Sequence, residues 1–239
     1  MSKAWWLSIY GYRDSFFMTQ LLLNIAPDWL PTLSNFVPGR NVELISALQH
    51  ALAGTSNERC FYIWGEVGCG KSHLMQAIVA QARSMGQSAV FAQGTVPDMV
   101  TVIAVDDVEV LDDAAQIALF VLYNRVRESG GILLVSGAAV PAHLTLRDDL
   151  RTRLGWGLVY QVHALNDAEK MQALEQHGQA RGFILPREVT KYLLRHGRRD
   201  MPALLGLLDA LDAQCLRLQR VPSVPLLKEV MQIFNQESV

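Results

Sequence analysis

The chain has no excess of basic residues: 21 lysines and arginines stand against 23 acidic residues, a net charge of −2 with histidine neutral. Bulk charge therefore gives no sign of nucleic-acid binding and leaves only a local basic patch open. Cysteine is scarce. Cys60, Cys69 and Cys215 are an odd number without CxxC spacing, which argues against a disulfide framework and against a zinc site. Reduced thiols in a cytosolic protein are expected instead. No apolar run approaches the roughly 20 residues that a spanning helix needs, so no membrane partner is expected. Residues 1–17 are aromatic, but Lys3, Arg13 and Asp14 interrupt them and no small-residue cleavage site follows, which argues against a secretory signal. Met18 is a second candidate start. There is no internal repeat and no low-complexity tract.

What is present suits a packed core. Half of the 239 residues are apolar, enough for one domain or for a domain with a small companion. Pro27, Pro31 and Pro38 keep any long helix out of the stretch 18–35, which reads as a linker. Residues 41–53 read as a helix, with Val42, Ile45, Leu48 and Leu52 at helical spacing and Gly54 as the stop. Cys60–Trp64 is a short apolar run that fits a buried strand. A glycine-rich turn and a helix over about 71–85 follow, with Leu74, Ile78 and Ala82 as its buried stripe. Strands at 89–92, 101–105 and 132–136 and a helix at 114–128 continue the alternation. That order implies an α/β fold, a parallel sheet with helices on both faces. Right-handed crossovers then gather the loops leaving the strands along one ligand-binding edge. After Val162 the pattern turns helical. Asn166 and Glu169 form a capping box, Pro186 opens a second helix, a leucine-rich helix covers 202–218, and Ser223 and Pro225 precede a last one. The expected organisation is an N-terminal extension over 1–35, an α/β domain over 36–163 and a small all-helical domain over 164–239.

The strongest chemical signal is Gly65-Glu66-Val67-Gly68-Cys69-Gly70-Lys71-Ser72, a full match to G-x-x-x-x-G-K-[ST]. Its glycines let the backbone turn sharply and aim successive N–H groups at phosphate oxygens, and the following helix adds its positive end. Lys71 supplies charge for the β- and γ-phosphates, and Ser72 a hydroxyl for Mg²⁺. A strand before the loop and an amphipathic helix after it are the context this chemistry requires. The expected cofactors are ADP or ATP with Mg²⁺. Val102-Ile103-Ala104-Val105-Asp106-Asp107 is the partner signal. Asp106 at a strand end is placed to organise Mg²⁺, and Asp107 falls where many such ATPases carry the carboxylate that polarises water. On its own, this segment fits equally well an ordinary strand end with turn-forming acids.

Several blocks together resemble the initiator branch of the AAA+ proteins and, within it, the Hda family of regulatory inactivators of DnaA. These are Ser34-Asn35-Phe36-Val37-Pro38-Gly39, the P-loop, the Asp106-Asp107 strand, Leu122-Tyr123-Asn124-Arg125, Arg151-Thr152-Arg153-Leu154-Gly155-Trp156-Gly157, Asp167-Ala168-Glu169-Lys170, and Arg181-Gly182-Phe183-Ile184-Leu185-Pro186. The resemblance covers about residues 20–239, and the Arg-Leu-Gly-Trp-Gly block is its most branch-specific part. It implies an AAA+ domain followed by a helical lid. Phe36, Val37, Gly65, Gly68, Gly70, Lys71, Ser72 and His73 would hold the nucleotide, and Ser136 would be a sensor near its γ-phosphate. Arg153 would be an arginine finger reaching a partner's nucleotide, where a cation offsets transition-state charge. Three departures point to weak hydrolysis by the chain itself, with diphosphate binding retained. Ala138-Ala139 replace an Asp-Arg pair, Pro202 replaces the lid arginine (with Arg198 or Arg199 as substitutes), and only about eight residues separate two strands where the family usually carries a helix.

Gln20-Leu21-Leu22-Leu23-Asn24-Ile25 resembles the hook with which replication proteins dock on the sliding clamp, the β subunit of DNA polymerase III. Gln20 would satisfy polar groups while Leu21, Leu23 and Ile25 fill an apolar groove. The resemblance thus implies two partners, the clamp and the AAA+ domain of DnaA. DNA would be contacted mostly through the clamp, in the cytoplasm at the nucleoid, and homo-oligomerisation stays open. An initiator would carry a DNA-reading module after the lid, for which about twenty residues past Leu218 leave no room. The alternatives are an AAA+ ATPase that loads a helicase or remodels DNA, and a small P-loop kinase, against which the helical lid and the Arg-Leu-Gly-Trp-Gly block count.

Overall fold

Alternation along the strands decides the architecture. Successive side chains of β1 (Cys60–Trp64), β3 (Val102–Asp106) and β4 (Ile132–Gly137) point to opposite faces of the sheet. Phe61, Ile63, Val102, Ala104, Ile132 and Leu134 pack on one face beneath α1 (Val42–Leu52) and α2 (Lys71–Ser84). Cys60, Tyr62, Ile103, Val105, Leu133 and Val135 pack on the other beneath α3 (Asp113–Ser129) and α4 (Asp148–Leu154). With β2 (Ala89–Gln93) and β5 (Leu158–Gln161) they form a five-stranded parallel sheet in the order β2-β3-β4-β1-β5. Both faces being covered explains why the central strands read as unbroken apolar runs. The molecule is seen in a computed structural model that describes residues 31–198 and 200–236.

A second core lies in the C-terminal helices α5 (Asp167–Ala180), α6 (Arg187–His196), α7 (Met201–Leu218) and α8 (Val224–Gln236). Leu174, Val189, Leu193, Leu208, Leu211 and Leu227 are its most deeply buried side chains. The fold is therefore the expected parallel α/β unit followed by a small all-helical one. The capping box at α5 is formed as the sequence predicts: Asn166 Oδ1 accepts from the Glu169 N–H at 3.0 Å and Glu169 Oε2 from the Asn166 N–H at 2.7 Å. No helix among the described residues is long and apolar enough to cross a membrane.

Two details differ from the sequence reading. The buried stripe of α1 is Leu44, Leu48, Ala51 and Leu52, whereas Val42 is 61% exposed. The helix begins at Val42, which lies about 200° around the axis from Leu44, so it points away from the buried face that Leu44 and Leu48 define. The edge strand β5 is also an addition. At four residues with alternating partial burial it carries too little periodicity to stand out.

One side chain ties the beginning of the α/β unit to its end. Asn41, 2% exposed, donates from Nδ2 to the His163 carbonyl at 3.0 Å and accepts the His163 N–H on Oδ1 at 2.7 Å. The amide thus satisfies the backbone of the residue just past β5 as a neighbouring strand would. Asn41→Ala removes both bonds and strands two backbone groups, so it is expected to destabilise the fold by about 2–3 kcal/mol, read from the urea midpoint at unchanged m-value.

Candidate nucleotide site

The P-loop leaves the carboxyl end of β1 and runs into α2, as the phosphate-cradle geometry requires. Gly68 and Gly70 have φ of +77° and +103°. A Cβ at Gly70 would be strained by the backbone itself, so the residue just before α2 has to be glycine. Lys71 opens the helix, is 8% exposed, and donates to the carbonyls of Gly65 at 2.8 Å and Glu66 at 3.2 Å. Carbonyl dipoles hold the ammonium without cancelling its charge, which stays available to an anion.

A cavity of about 270 Å³ opens beside the loop. It brings together Phe36, Val37, Gly68, Gly70, Lys71, Ser72 and His73. Gly65 joins them as a carbonyl partner of Lys71. Asn35, from the block whose resemblance implies a lining of the adenine pocket, also borders the cavity, whereas the sequence reading missed the lid residues Leu165, Ala173, Met201 and Leu205. The signal for the last two was the start of α7, where i and i+4 share a face. Pro202 also lines the cavity, so the lid presents apolar atoms there. Arg198 does not replace the missing lid arginine, because it lies outside the lining, is 79% exposed along its side chain and pairs with Asp200 at 3.2 Å. Arg199 lies outside the described residues.

The acidic and hydroxyl groups meet at the same sheet edge. Ile63 pairs with Ser136, and Gln93 with Asp106. The β3–β4 register pairs Val105 with Val135, so the next step brings Asp106 and Ser136 side by side. The Ser136 hydroxyl donates to Asp106 Oδ1 and accepts the Asp107 N–H, the latter at 2.9 Å. Asp106 is fully buried, and its Oδ2 has no hydrogen-bond partner among the described residues. An unsatisfied buried carboxylate oxygen is costly unless a cation meets it, so the residues present fit Mg²⁺. No group of three or more histidines, cysteines or acids able to hold a metal occurs among the described residues. That suits an ion held by one carboxylate, a hydroxyl and phosphate oxygens. Asp107 takes a left-handed backbone, φ +52°, and its Oδ2 accepts from Gln93 Nε2 at 2.7 Å. The loop after β4 is held through its backbone, by Tyr62 Oη to the Ala139 carbonyl at 2.7 Å and by the Ala138 N–H to Glu109 Oε1 at 2.6 Å. Alanines at 138 and 139 keep that path.

Arg153 is not in the cavity lining. It ends α4 and stacks over the Trp156 ring, 4.1 Å from the centroid, with Phe120 at 5.6 Å. Trp156 shares a cleft with Asn57, Glu58 and Cys60 at the start of β1. The P-loop leaves the other end, about 13 Å away at the usual strand rise. Gln20, Leu21, Leu23 and Ile25 lie outside the described residues.

Burial raises the Cys69 thiol, so this P-loop cysteine stays protonated and unreactive near neutral pH. Burial also lowers His73 below its usual value. Its Nε2 lies 2.9 Å from Asn35 Oδ1, which already accepts the Thr32 N–H, so the ring nitrogen donates there as a neutral imidazole. A base with a depressed folded pKa gives stability that is present above the unfolded value and lost as pH falls through the folded one. Between pH 8 and pH 5 the wild type should therefore lose more stability than His73→Gln, compared by urea unfolding at each pH.

The fold and cradle define the class: the chain has the AAA+ fold. Its α/β and lid units superpose on domain III of the Thermotoga maritima replication initiation protein DnaA with a TM-score of 0.73, at 21% identity, over 85% of this chain and 96% of that one. AMPPCP-bound DnaA from Aquifex aeolicus gives 0.66 at 21% identity over 77% and 67%. The Thermotoga maritima RuvB branch migration motor gives 0.65 at 14% over 85% and 72%. Such identities speak for the fold. Two family models go further. Residues 30–93 match the bacterial DnaA ATPase domain, and residues 167–231 match the lid domain of Hda. Each model covers part of the chain, and together they make it similar to DnaA in the first part of its α/β unit and to Hda in its lid.

Proposed function

We propose that this protein regulates chromosomal replication initiation by supplying an arginine finger to ATP-bound DnaA while holding a nucleotide of its own. The observation that carries the reading is the state of Arg153. Of the arginines on and beside α4, Arg147 pairs with Asp113 and Asp149, and Arg151 with Asp148. Arg153 has no ion pair or hydrogen bond among the described residues and lies a strand length from its own cradle. An uncompensated guanidinium there is placed to serve another molecule's phosphates.

In this reading Lys71 and the loop amides grip the β-phosphate, Ser72 and Asp106 hold Mg²⁺, and Phe36, Val37 and His73 border the base. AMPPCP in a DnaA relative supports a nucleotide at this place. ADP suits the site well, since Met201, Pro202 and Leu205 bring no lid cation to a γ-phosphate. Asp107, engaged with Gln93, and Ser136 are the groups nearest to a hydrolytic role, and own-site hydrolysis is slow. Gln20, Leu21, Leu23 and Ile25 hook the protein to the DNA-loaded sliding clamp, and the tether raises the local concentration of the AAA+ body. Contact with DNA runs mainly through the clamp.

The test is DnaA-ATP hydrolysis with and without clamp loaded on DNA. Arg153→Ala should lower the stimulation by about a hundredfold or more while clamp retention persists. Gln20→Ala should lose retention in a clamp pull-down. Full stimulation by Arg153→Ala would remove the finger. ATP hydrolysis by this chain alone, accelerated by single-stranded DNA and indifferent to the clamp, would establish the loader or remodeller reading instead. Lys71→Ala should abolish ADP and ATP binding in calorimetry without unfolding the protein, and unchanged affinity would overturn the nucleotide site.

A further inference from the structure

We propose that Trp156 is a positioning residue, a ring platform that holds the Arg153 guanidinium in one plane with its N–H groups turned outward. This rests on the finger reading of Arg153 but makes a separate structural claim. The side chain carries three flexible torsions beyond χ1, and nothing polar among the described residues restrains it. Two aromatic rings do. The indole of Trp156 lies 4.1 Å from the guanidinium carbon, and Phe120 lies 5.6 Å from it. Stacking uses the face of the guanidinium, so it occupies none of the five N–H donors around its rim. A carboxylate partner such as Arg151 has in Asp148 would use at least one of those donors and offset the charge. The ring restrains the plane and leaves charge and donors intact.

The neighbours of Trp156 explain why the indole is fixed although it is 59% exposed. Leu154, 2% exposed, anchors the end of α4 in the core. Gly157 lies against the backbone of β1, where an added Cβ would sit 2.3 Å from the Cys60 carbonyl oxygen. That is inside any tolerable contact, and the other party is main chain in the middle of a sheet. Directly beyond, β5 pairs with β1 from Leu158 opposite Phe61. Trp156 is therefore held between a buried leucine and a glycine that touches the sheet. The short segment from Arg153 to Gly157 thus has a physical reason at each step: finger, anchor, turn, platform and close contact.

Four variants and two readouts test this. In DnaA-ATP hydrolysis, Trp156→Leu should lower the maximal stimulated rate about fivefold to tenfold, with the half-saturating concentration changed less than twofold. Trp156→Phe, which keeps a ring face, should recover most of the rate. Independently of any partner, the Arg153 Nε–H resonance in arginine-labelled protein should carry a ring-current shift in the wild type. Arg153→Lys identifies that resonance by deleting it. The shift should vanish in Trp156→Leu and persist, reduced, in Trp156→Phe. If Arg153→Ala abolishes stimulation while Trp156→Leu keeps the wild-type rate, the platform is overturned and the finger stands. If the Nε–H resonance is unshifted by Trp156→Leu, the stack is overturned whatever the enzyme assay gives. If Arg153→Ala itself leaves stimulation intact, the finger falls, and the resonance alone decides whether the stack exists.

Discussion

The parallel register of β3, β4 and β1 is the constraint on which the candidate site depends. Gln93 pairs with Asp106, and Ile63 with Ser136. Four strand ends therefore finish level, and the P-loop starts one residue beyond Trp64 at that same edge. A slip of one residue in β4 would turn Ser136 to the opposite face and take its hydroxyl from Asp106. What prevents the slip is apolar. Leu133 and Val135 face α3 while Ile132 and Leu134 face α2, and exchanging them would ask two packed faces to accept each other's side chains. The polar chemistry at the edge is thus positioned by the hydrocarbon behind it.

Much of this was readable in the sequence, for a definable reason. The P-loop, the strand ending in Asp106 and the order of strands and helices are local patterns, and local patterns survive in one dimension. The capping box at Asn166 and Glu169 is another, since its partners are three residues apart. What was not readable is what depends on contacts distant in sequence. Asn41 reaches His163 across 122 positions, and no periodicity announces it. The bond between Asn35 and His73 likewise spans 38 positions. The edge strand β5 exists because β1 offers an open side, not because four residues carry a strong strand signal. The α1 stripe was misread in phase, because Val42 and Ile45 are apolar and two stripes offset around the axis were both open to the spacing.

The lid shows how a departure from a pattern acquires meaning once its surroundings are known. Pro202 at the start of α7 removes a cation from the cavity, and it suits the position as a helix residue whose N–H needs no partner. Asp200 accepts the Ala203 N–H at 3.0 Å and caps the helix in the same turn. The segment is a well-made helix start, which argues that the loss of a phosphate-sensing charge came without loss of fold. Among the described residues the lid faces the cavity with apolar contact from Met201, Pro202 and Leu205.

Two cations therefore set the character of the molecule, and both are kept from neutralisation by different means. Lys71 is surrounded by carbonyls, which bind an ammonium but leave its net charge whole. Arg153 is stacked on rings, which bind a guanidinium through its face and again leave its charge whole. Neither has the carboxylate that a merely structural cation usually acquires, as Arg147 and Arg151 have. The two lie at opposite ends of β1, too far apart to serve one nucleotide. One intact cradle and one unspent arginine at the far side are the arrangement the proposed role requires, in which the chain binds one nucleotide itself and acts on another that a second molecule brings.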